Sequence, residues 1–187
     1  TLSADAIAKR TVEFLAKSKE NDSKLKEINA DFAKFVAIMN IEREKENPRK
    51  DYMYLGQVWP SIAFFFEQEY LAIFNTKTHD AFNETLAPQV IIDVLRDLKS
   101  LMAYHTTNEE WFDSIKAIAI KNRFATSKKE IKQNPDLFVG TVADVAEILR
   151  ITLTGSKKSP NLHDVIEIMG KEEVNKRIDF VIEKVVK

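Results

Sequence analysis

The chain has 187 residues, of which 44% are hydrophobic and 30% charged, with a net charge of −1 and no cysteine. This composition is typical of a globular protein and excludes a disordered chain, a disulfide-stabilised module and a thiolate-bound zinc site. No run approaches the roughly 20 apolar residues that a membrane span needs. Residues 1–15 lack the pattern of a secretory signal, so we expect a cytoplasmic protein that does not contact membranes.

Positive charge is concentrated towards the end of the chain. Residues 121–187 contain 13 Lys and Arg against 10 Asp and Glu, so this part has a net charge of +3 and the remainder −4. No acidic residue lies between Glu147 and Asp164, whereas Arg150, Lys157 and Lys158 do. The near-zero total argues against general affinity for DNA, but a local basic segment can add phosphate contacts to a specific RNA site.

Apolar residues recur with helical periodicity throughout, and the chain has only 4 glycines. We therefore predict an all-α fold, a bundle or cage of roughly nine to ten helices. A first helix is predicted over about residues 3–18, and a second from Asn21–Asp22 to Met39. Residues 42–51 form a polar connector, and Gly56 and Pro60 divide the next segment into short helical pieces. The run Phe64–Phe65–Phe66 is predicted to lie in the core rather than to stack on bases.

Capping signals predict the later helices. They begin at Pro88, after Thr107 (capping box with Glu110), after Ser127, after Thr141, and after Ser159 with Pro160 at the first helical position. Gly170 ends the last of these, and a final helix covers about residues 172–186. The change in charge along the chain predicts two helical subdomains, 1–120 and 121–187.

The residues of a known catalytic site are missing from the sequence. It contains no glycine-rich phosphate loop, no serine nucleophile elbow and no cysteine nucleophile. His163 and Glu167 have a spacing that can share a metal, but no further ligand completes a site, so we predict no metal and a solvent-exposed pair. A small helical enzyme remains an alternative, and it would require a cleft with converging ionisable residues.

The segment from Glu147 to Asp164 is the best candidate site. An arginine side chain can bind a base edge or a phosphate in a bidentate manner, and lysines can contact phosphates. A helix that begins with Ser-Pro exposes free amides, and a leucine one turn later can pack against an unstacked base. Two interpretations stay open, an RNA-binding loop and a solvated basic turn of a helical protein-interaction module. The candidate residues are Arg150, Lys157, Lys158, Ser159, Pro160 and Leu162.

The end of the chain resembles a known family. The segment "ILRITLTGSKKSPNLHDVIEIMGKEEVNKRI" is similar to the carboxy-terminal end of bacterial glutamyl-tRNA synthetases, in which Arg, Thr-Gly, Ser-Pro, Leu and Gly-Lys occur at this spacing. "FFFEQEY" and "TNEEWFDSIKAIA" resemble segments that lie upstream in the same family. The resemblance covers most of the chain from about residue 25. Residues 123–147 are longer than the linker usual in the family, so their geometry is not predicted.

The resemblance implies that the chain is the anticodon-binding region of a glutamate–tRNA ligase. It implies that Arg150, Ser159, Pro160 and Leu162 contact the anticodon of the glutamate tRNA. Arg49 is a candidate for binding the third anticodon base. The parent enzyme would be a monomer that uses ATP and Mg²⁺ to load glutamate on tRNA. The ATP-binding signatures of the family do not occur in this sequence, and its first residue is not methionine. We therefore expect a fragment that binds RNA without cofactors and does not catalyse the reaction.

Overall fold

The computed structural model describes residues 2–44 and 52–186, and it confirms the all-α prediction. Within these residues there are ten α-helices and two strands of two residues each. The helices are α1 (Ala4–Leu15), α2 (Asp22–Ala30), α3 (Phe32–Asn40), α4 (Val58–Ile62), α5 (Glu67–Phe74), α6 (Pro88–Leu101), α7 (Asn108–Lys121), α8 (Lys128–Gln133), α9 (Val142–Thr154) and α10 (Leu162–Lys184). The strands are β1 (Phe124–Ala125) and β2 (Gly140–Thr141). Short 3₁₀ turns occur at Lys19–Asn21, Leu55–Gln57, Ala63–Phe65, His79–Ala81 and Pro135–Leu137.

Most helix starts follow the predicted caps. The Ser3 hydroxyl accepts a hydrogen bond from the Ala6 amide at 3.2 Å, which begins α1. Thr107 and Glu110 form the predicted capping box of α7, in which the Thr107 amide donates to the Glu110 carboxylate at 2.9 Å. Each such cap satisfies an amide that the first helical turn leaves unpaired. The predicted starts at Pro88, Ser127 and Thr141 are confirmed as well.

The predicted single helix over residues 22–39 is wrong, because Asp31 separates α2 from α3. Its backbone is non-helical (φ −146°, ψ 74°), and its carboxylate accepts from the Lys34 amide at 2.9 Å. An aspartate that binds backbone amides favours a cap over the helix interior. The apolar pattern runs through this break, since Ile28 and Phe35 are both buried. Periodicity alone therefore could not reveal it.

One hydrophobic cluster connects the early and late helices. In this cluster α10 packs against α3, α6 and α9, and α7 packs against α6 and α9. The predicted aromatic core is confirmed, since Phe64, Phe65 and Trp111 are each 5% exposed and the Phe66 ring stacks on Trp59 at 4.6 Å. Among the residues described, no helix is long and apolar enough to cross a membrane.

The segment between α7 and α9 forms a small unit around α8. Strand β1 pairs in parallel with β2, with Phe124 opposite Gly140 and Ala125 opposite Thr141. The Val139 amide also donates to the Arg123 carbonyl at 3.0 Å. These bonds fasten both ends of the α8 segment to the start of α9. The position of α8 relative to α9 is therefore set by backbone hydrogen bonds.

Gly170 interrupts α10, as the sequence predicted. Its angles (φ 76°, ψ 160°) are non-helical and suit glycine, which has no Cβ to clash. The part of α10 that follows contributes a buried arginine to the core. The Arg177 side chain is 2% exposed, and its Nη1 donates to the carbonyls of Phe64 at 2.6 Å and Leu153 at 2.7 Å. Its Nε donates to Glu173 at 2.7 Å.

The end of α9 is held by donors from three sources. The carbonyl of Ile151 accepts from the Gly155 amide at 2.7 Å, and that of Thr152 accepts from the Tyr70 hydroxyl at 2.8 Å. Arg177 supplies the bond to the next carbonyl, and its guanidinium lies 4.0 Å from the Tyr70 ring centroid. Burial raises the pKa of the Tyr70 phenol, so it stays a protonated donor. Carbonyls of a last helical turn lack helical partners, and here they are satisfied by the core.

Replacement of Arg177 by methionine should lower the free energy of unfolding by about 3 kcal/mol, because two buried carbonyls lose their donor. Chemical denaturation followed by circular dichroism measures this change. The matched control is Lys176→Met, which removes an exposed ion pair with Glu67 and should cost less than about 1 kcal/mol. Equal losses in the two variants would show that Arg177 does not anchor α9.

Candidate nucleic-acid interface

Residues 155–161 connect α9 to α10 and are called the helix-joining loop below. Gly155 begins it in the left-handed conformation (φ 68°). The Thr154 hydroxyl donates to the Arg150 carbonyl at 2.8 Å and accepts from the Ser156 amide at 3.2 Å. The Lys158 amide donates to the Ser156 hydroxyl at 3.1 Å. The loop backbone is thus ordered by the hydroxyl groups of Thr154 and Ser156, and the side chains of Lys157 and Lys158 are exposed.

The predicted helix start at Ser159–Pro160 is wrong, because α10 begins at Leu162 with Asn161 as its cap. The Asn161 side chain accepts from the Asp164 amide at 3.2 Å, and its own amide donates to Glu42 at 3.2 Å. The Ser159 hydroxyl instead donates to the Pro160 carbonyl at 2.8 Å. Asparagine caps a helix as well as serine does, so both residues matched the pattern. The free amides predicted beside Ser159 are therefore not those of a helix terminus.

The positively charged side chains of the loop and of the end of α9 differ in how far nearby acids neutralise them. Arg150 is half-buried, and its Nε has no hydrogen-bond partner among the residues described. The Lys157 ammonium lies 3.2 Å from the carboxylate of Glu147, which belongs to α9. Lys158 is exposed and forms no ion pair within residues 2–44 and 52–186. The sequence between Glu147 and Asp164 contains no acid, which suggested that both lysines are uncompensated. The structure shows that Glu147 compensates Lys157 but not Lys158.

The structure adds Lys77, which sequence reasoning missed. A Cβ atom placed on Gly155 would lie 3.5 Å from Lys77 Cε and 2.2 Å from Ile73 Cγ2. The absence of a side chain at Gly155 thus lets the loop lie directly on the end of α5 and the turn that follows it. Lys77 follows α5 in a polar turn, and no local pattern in the sequence could place it beside a loop so far along the chain. It brings a further cation to the same edge.

The apolar candidates lie beneath the loop. Pro160 is buried and Leu162 is 4% exposed, so neither presents an open apolar platform in this conformation. Ser159 is half-buried. Arg49 lies outside the described residues. The structure therefore brings Arg150, Ser159, Lys157 and Lys158 to the loop surface and places the two apolar residues under it.

The predicted solvent-exposed pair of His163 and Glu167 is wrong in its exposure. His163 is only 9% exposed, its Nε2 lies 2.9 Å from the Thr106 carbonyl, and its ring lies 5.8 Å from that of Trp111. No group of three or more metal-ligating side chains comes together in the described part of the chain. His163 therefore joins the start of α10 to the segment before α7.

Comparison with known proteins gives the loop a context. A family model described as an anticodon binding domain matches residues 137–182. The glutamate–tRNA ligase of Acetivibrio thermocellus is 35% identical over 150 residues, which are 79% of this chain and 26% of that protein. The glutamate–tRNA ligases of Clostridium perfringens strain 13 and Clostridium beijerinckii are each 29% identical, over 86% and 82% of this chain and 29% of each relative.

The chain belongs to the anticodon-binding region of the glutamate–tRNA ligase family. It spans between a quarter and a third of the length of the relatives that it matches. The match to the anticodon binding domain includes the whole helix-joining loop and also Arg177. The arginine near the end of the family pattern thus has a structural role here, since it fixes α9. Arg150 is half-buried, and its Nε is a buried donor without a partner among the described residues.

Gly155→Ala should lower the free energy of unfolding of this anticodon-binding region by about 2–5 kcal/mol. The left-handed backbone costs an alanine about 1–2 kcal/mol, and crowding against Ile73 adds about 1–3 kcal/mol. Thermal and urea denaturation test this. Gly56→Ala is the control, because its Cβ would meet the edge of the exposed Tyr54 ring at 3.1 Å, and that ring can move. Its other neighbour, Phe14 Cζ, lies at an ordinary contact distance of 3.7 Å. A neutral Gly155→Ala variant would contradict the close packing of loop and α5.

Proposed function

We propose that the chain binds the anticodon of a glutamate tRNA and that the helix-joining loop carries the contact. The observation that supports this most is a coincidence of position. The anticodon-binding match over residues 137–182 includes the loop, and Lys158 on the loop and Arg150 and Lys77 beside it form no ion pair with a described acid. Single-stranded RNA loops are bound by such a combination of positive charge and directed donors.

The residues of the loop and those beside it have distinct proposed roles. Arg150 is half-buried, and it uses the terminal nitrogens of its guanidinium to donate to a base edge, since planar forked donors match such acceptors. Lys158 and Lys77 contact phosphates, and Lys157 contributes less because Glu147 already compensates it. Ser159 donates or accepts at a base edge after it releases the Pro160 carbonyl.

Pro160 and Leu162 act in this proposal from below the loop. Their burial keeps the backbone of residues 159–161 at a fixed height above α10. Contact of either side chain with a base would require a small movement of the loop, so we propose that they support the bound nucleotide more than they stack on it. The family resemblance implies that the same two residues contact bases directly, whereas this proposal gives them mainly a supporting role.

For the whole protein, we propose a monomeric cytoplasmic glutamate–tRNA ligase that loads glutamate on tRNA with ATP and Mg²⁺. The names of the relatives support this assignment, and this region would supply recognition of the tRNA and not the chemistry. The alternative, a helical protein-interaction module without an RNA role, has no specific observation in its favour.

Arg150→Ala should weaken binding of a glutamate tRNA anticodon stem-loop by about 1–3 kcal/mol, because a directed donor to a base is lost. Fluorescence anisotropy with a labelled stem-loop measures the affinity. Lys158→Ala should instead weaken all stem-loops alike and make the salt dependence shallower by about one unit.

The control is Lys19→Ala, an exposed lysine of the turn before α2, which should leave the affinity unchanged. Stem-loops with other anticodons should bind the wild-type chain less tightly than the glutamate stem-loop does. In Arg150→Ala, this difference in affinity should be smaller. If the wild-type chain binds every stem-loop equally, or none, the proposal of anticodon recognition is wrong.

A further inference from the structure

A second basic surface lies on α8, outside the helix-joining loop. Residues 121–139 contain five basic and two acidic residues. Lys128, Lys129 and Lys132 of α8 are all exposed and together are called the α8 lysine face. The neighbouring Ile131 is half-buried, so α8 turns its apolar side to the body of the protein and its lysines to solvent.

The local acids do not neutralise this face. The Glu130 carboxylate accepts from the Thr126 hydroxyl at 2.6 Å and the Thr126 amide at 2.9 Å, and these bonds lower its pKa and commit it to the helix start. Lys121 is already paired with Asp97 at 2.7 Å. Over residues 2–44 and 52–186, no ion pair involves the three lysines of the face. Three like charges on a six-residue helix repel one another, and a polyanion would relieve that repulsion.

The α8 lysine face has a fixed relation to the helix-joining loop. The β1–β2 pair ties α8 to the start of α9, and the loop follows the end of α9. Helix α9 has 13 residues, so the two basic surfaces are separated by about 20 Å along its axis. A nucleic-acid duplex presents a phosphate charge about every 1.7 Å of its axis when both strands are counted. A helical stem that adjoins nucleotides in the loop therefore offers phosphates over this range of distance.

We propose that the α8 lysine face contacts the phosphate backbone of the double-stranded stem next to the nucleotides that the helix-joining loop binds. The inference rests on the proposed function, since it uses the same RNA. Helix α8 lies before the residues 137–182 that match the anticodon binding domain, so this contact would be an addition to the loop site. It recognises charge and helical shape and carries no sequence information, because phosphate contacts position an RNA without specifying its bases.

The test compares two RNA probes, an anticodon stem-loop of the glutamate tRNA with a five-base-pair stem and the same loop sequence as an unpaired heptanucleotide. The variant replaces Lys128, Lys129 and Lys132 by glutamine. For the stem-loop, we expect the dependence of log K on log salt to become shallower by about two to three units, with weaker binding. For the heptanucleotide, we expect no change.

Three variants complete the design. Lys17, Lys19 and Lys26 replaced by glutamine give the same loss of charge on exposed residues near α2 and should bind the stem-loop as the wild type does. Replacement of the α8 lysines by arginine should keep binding. Arg150→Ala should weaken both probes. Circular dichroism checks that every variant is folded.

The outcomes separate the inference from the proposed function. If Arg150→Ala weakens binding but the α8 variant behaves like its charge-matched control, the inference is wrong and the proposed function stands. Equal weakening of both probes by the α8 variant would also overturn it, since that indicates a long-range effect of net charge. If the wild-type chain binds neither probe, both proposals fail. Loss of stem-loop binding with an unchanged heptanucleotide supports the inference, whereas capture of an acidic protein without any effect on RNA binding contradicts it.

Discussion

The buried guanidinium of Arg177 is the interaction on which the candidate site depends. It donates to carbonyls in two separate segments, Phe64 before α5 and Leu153 at the end of α9, and it lies on the Tyr70 ring. Hydrogen bonds reduce the cost of a buried charge, and here Nη1 and Nε have partners, whereas Nη2 has none among the described residues. The arginine therefore requires the aromatic segment, α9 and α10 to be in place together. The helix-joining loop starts at the point where these three elements meet.

Much of the fold follows from the sequence, because the signals are local. The capping box of Thr107 and Glu110 and the helix break at Gly170 each act within a few residues, and the structure reproduces them. The break at Asp31 and the cap at Asn161 were missed for the same physical reason. In each place, two local patterns were compatible with the same residues. At Asp31 a local cap prevailed over the helical periodicity, and at Asn161 a tertiary contact accompanies the cap. Asn161 is held by Glu42 from the distant end of α3.

The candidate site was predictable as a segment but not as an assembly. The pattern of residues 150–162 indicated the loop, whereas the contact of Gly155 with α5 and the pairing of Lys157 with Glu147 join residues through the fold. Sequence spacing carries no information on such contacts. The burial of Leu162 shows the same limit, because an apolar residue near a basic loop can face either the ligand or the core. Here it faces the core.

The break at Gly170 has a consequence for how mutations are tolerated. An uninterrupted helix would couple its two ends rigidly, so that one inserted residue would rotate everything beyond it by about 100°. Gly170 interrupts the helical backbone. The direction in which Leu162 points around the helix axis therefore does not fix the direction in which Arg177 points. We therefore expect small length changes near this glycine to be absorbed locally, so that Arg177 keeps its orientation towards α9.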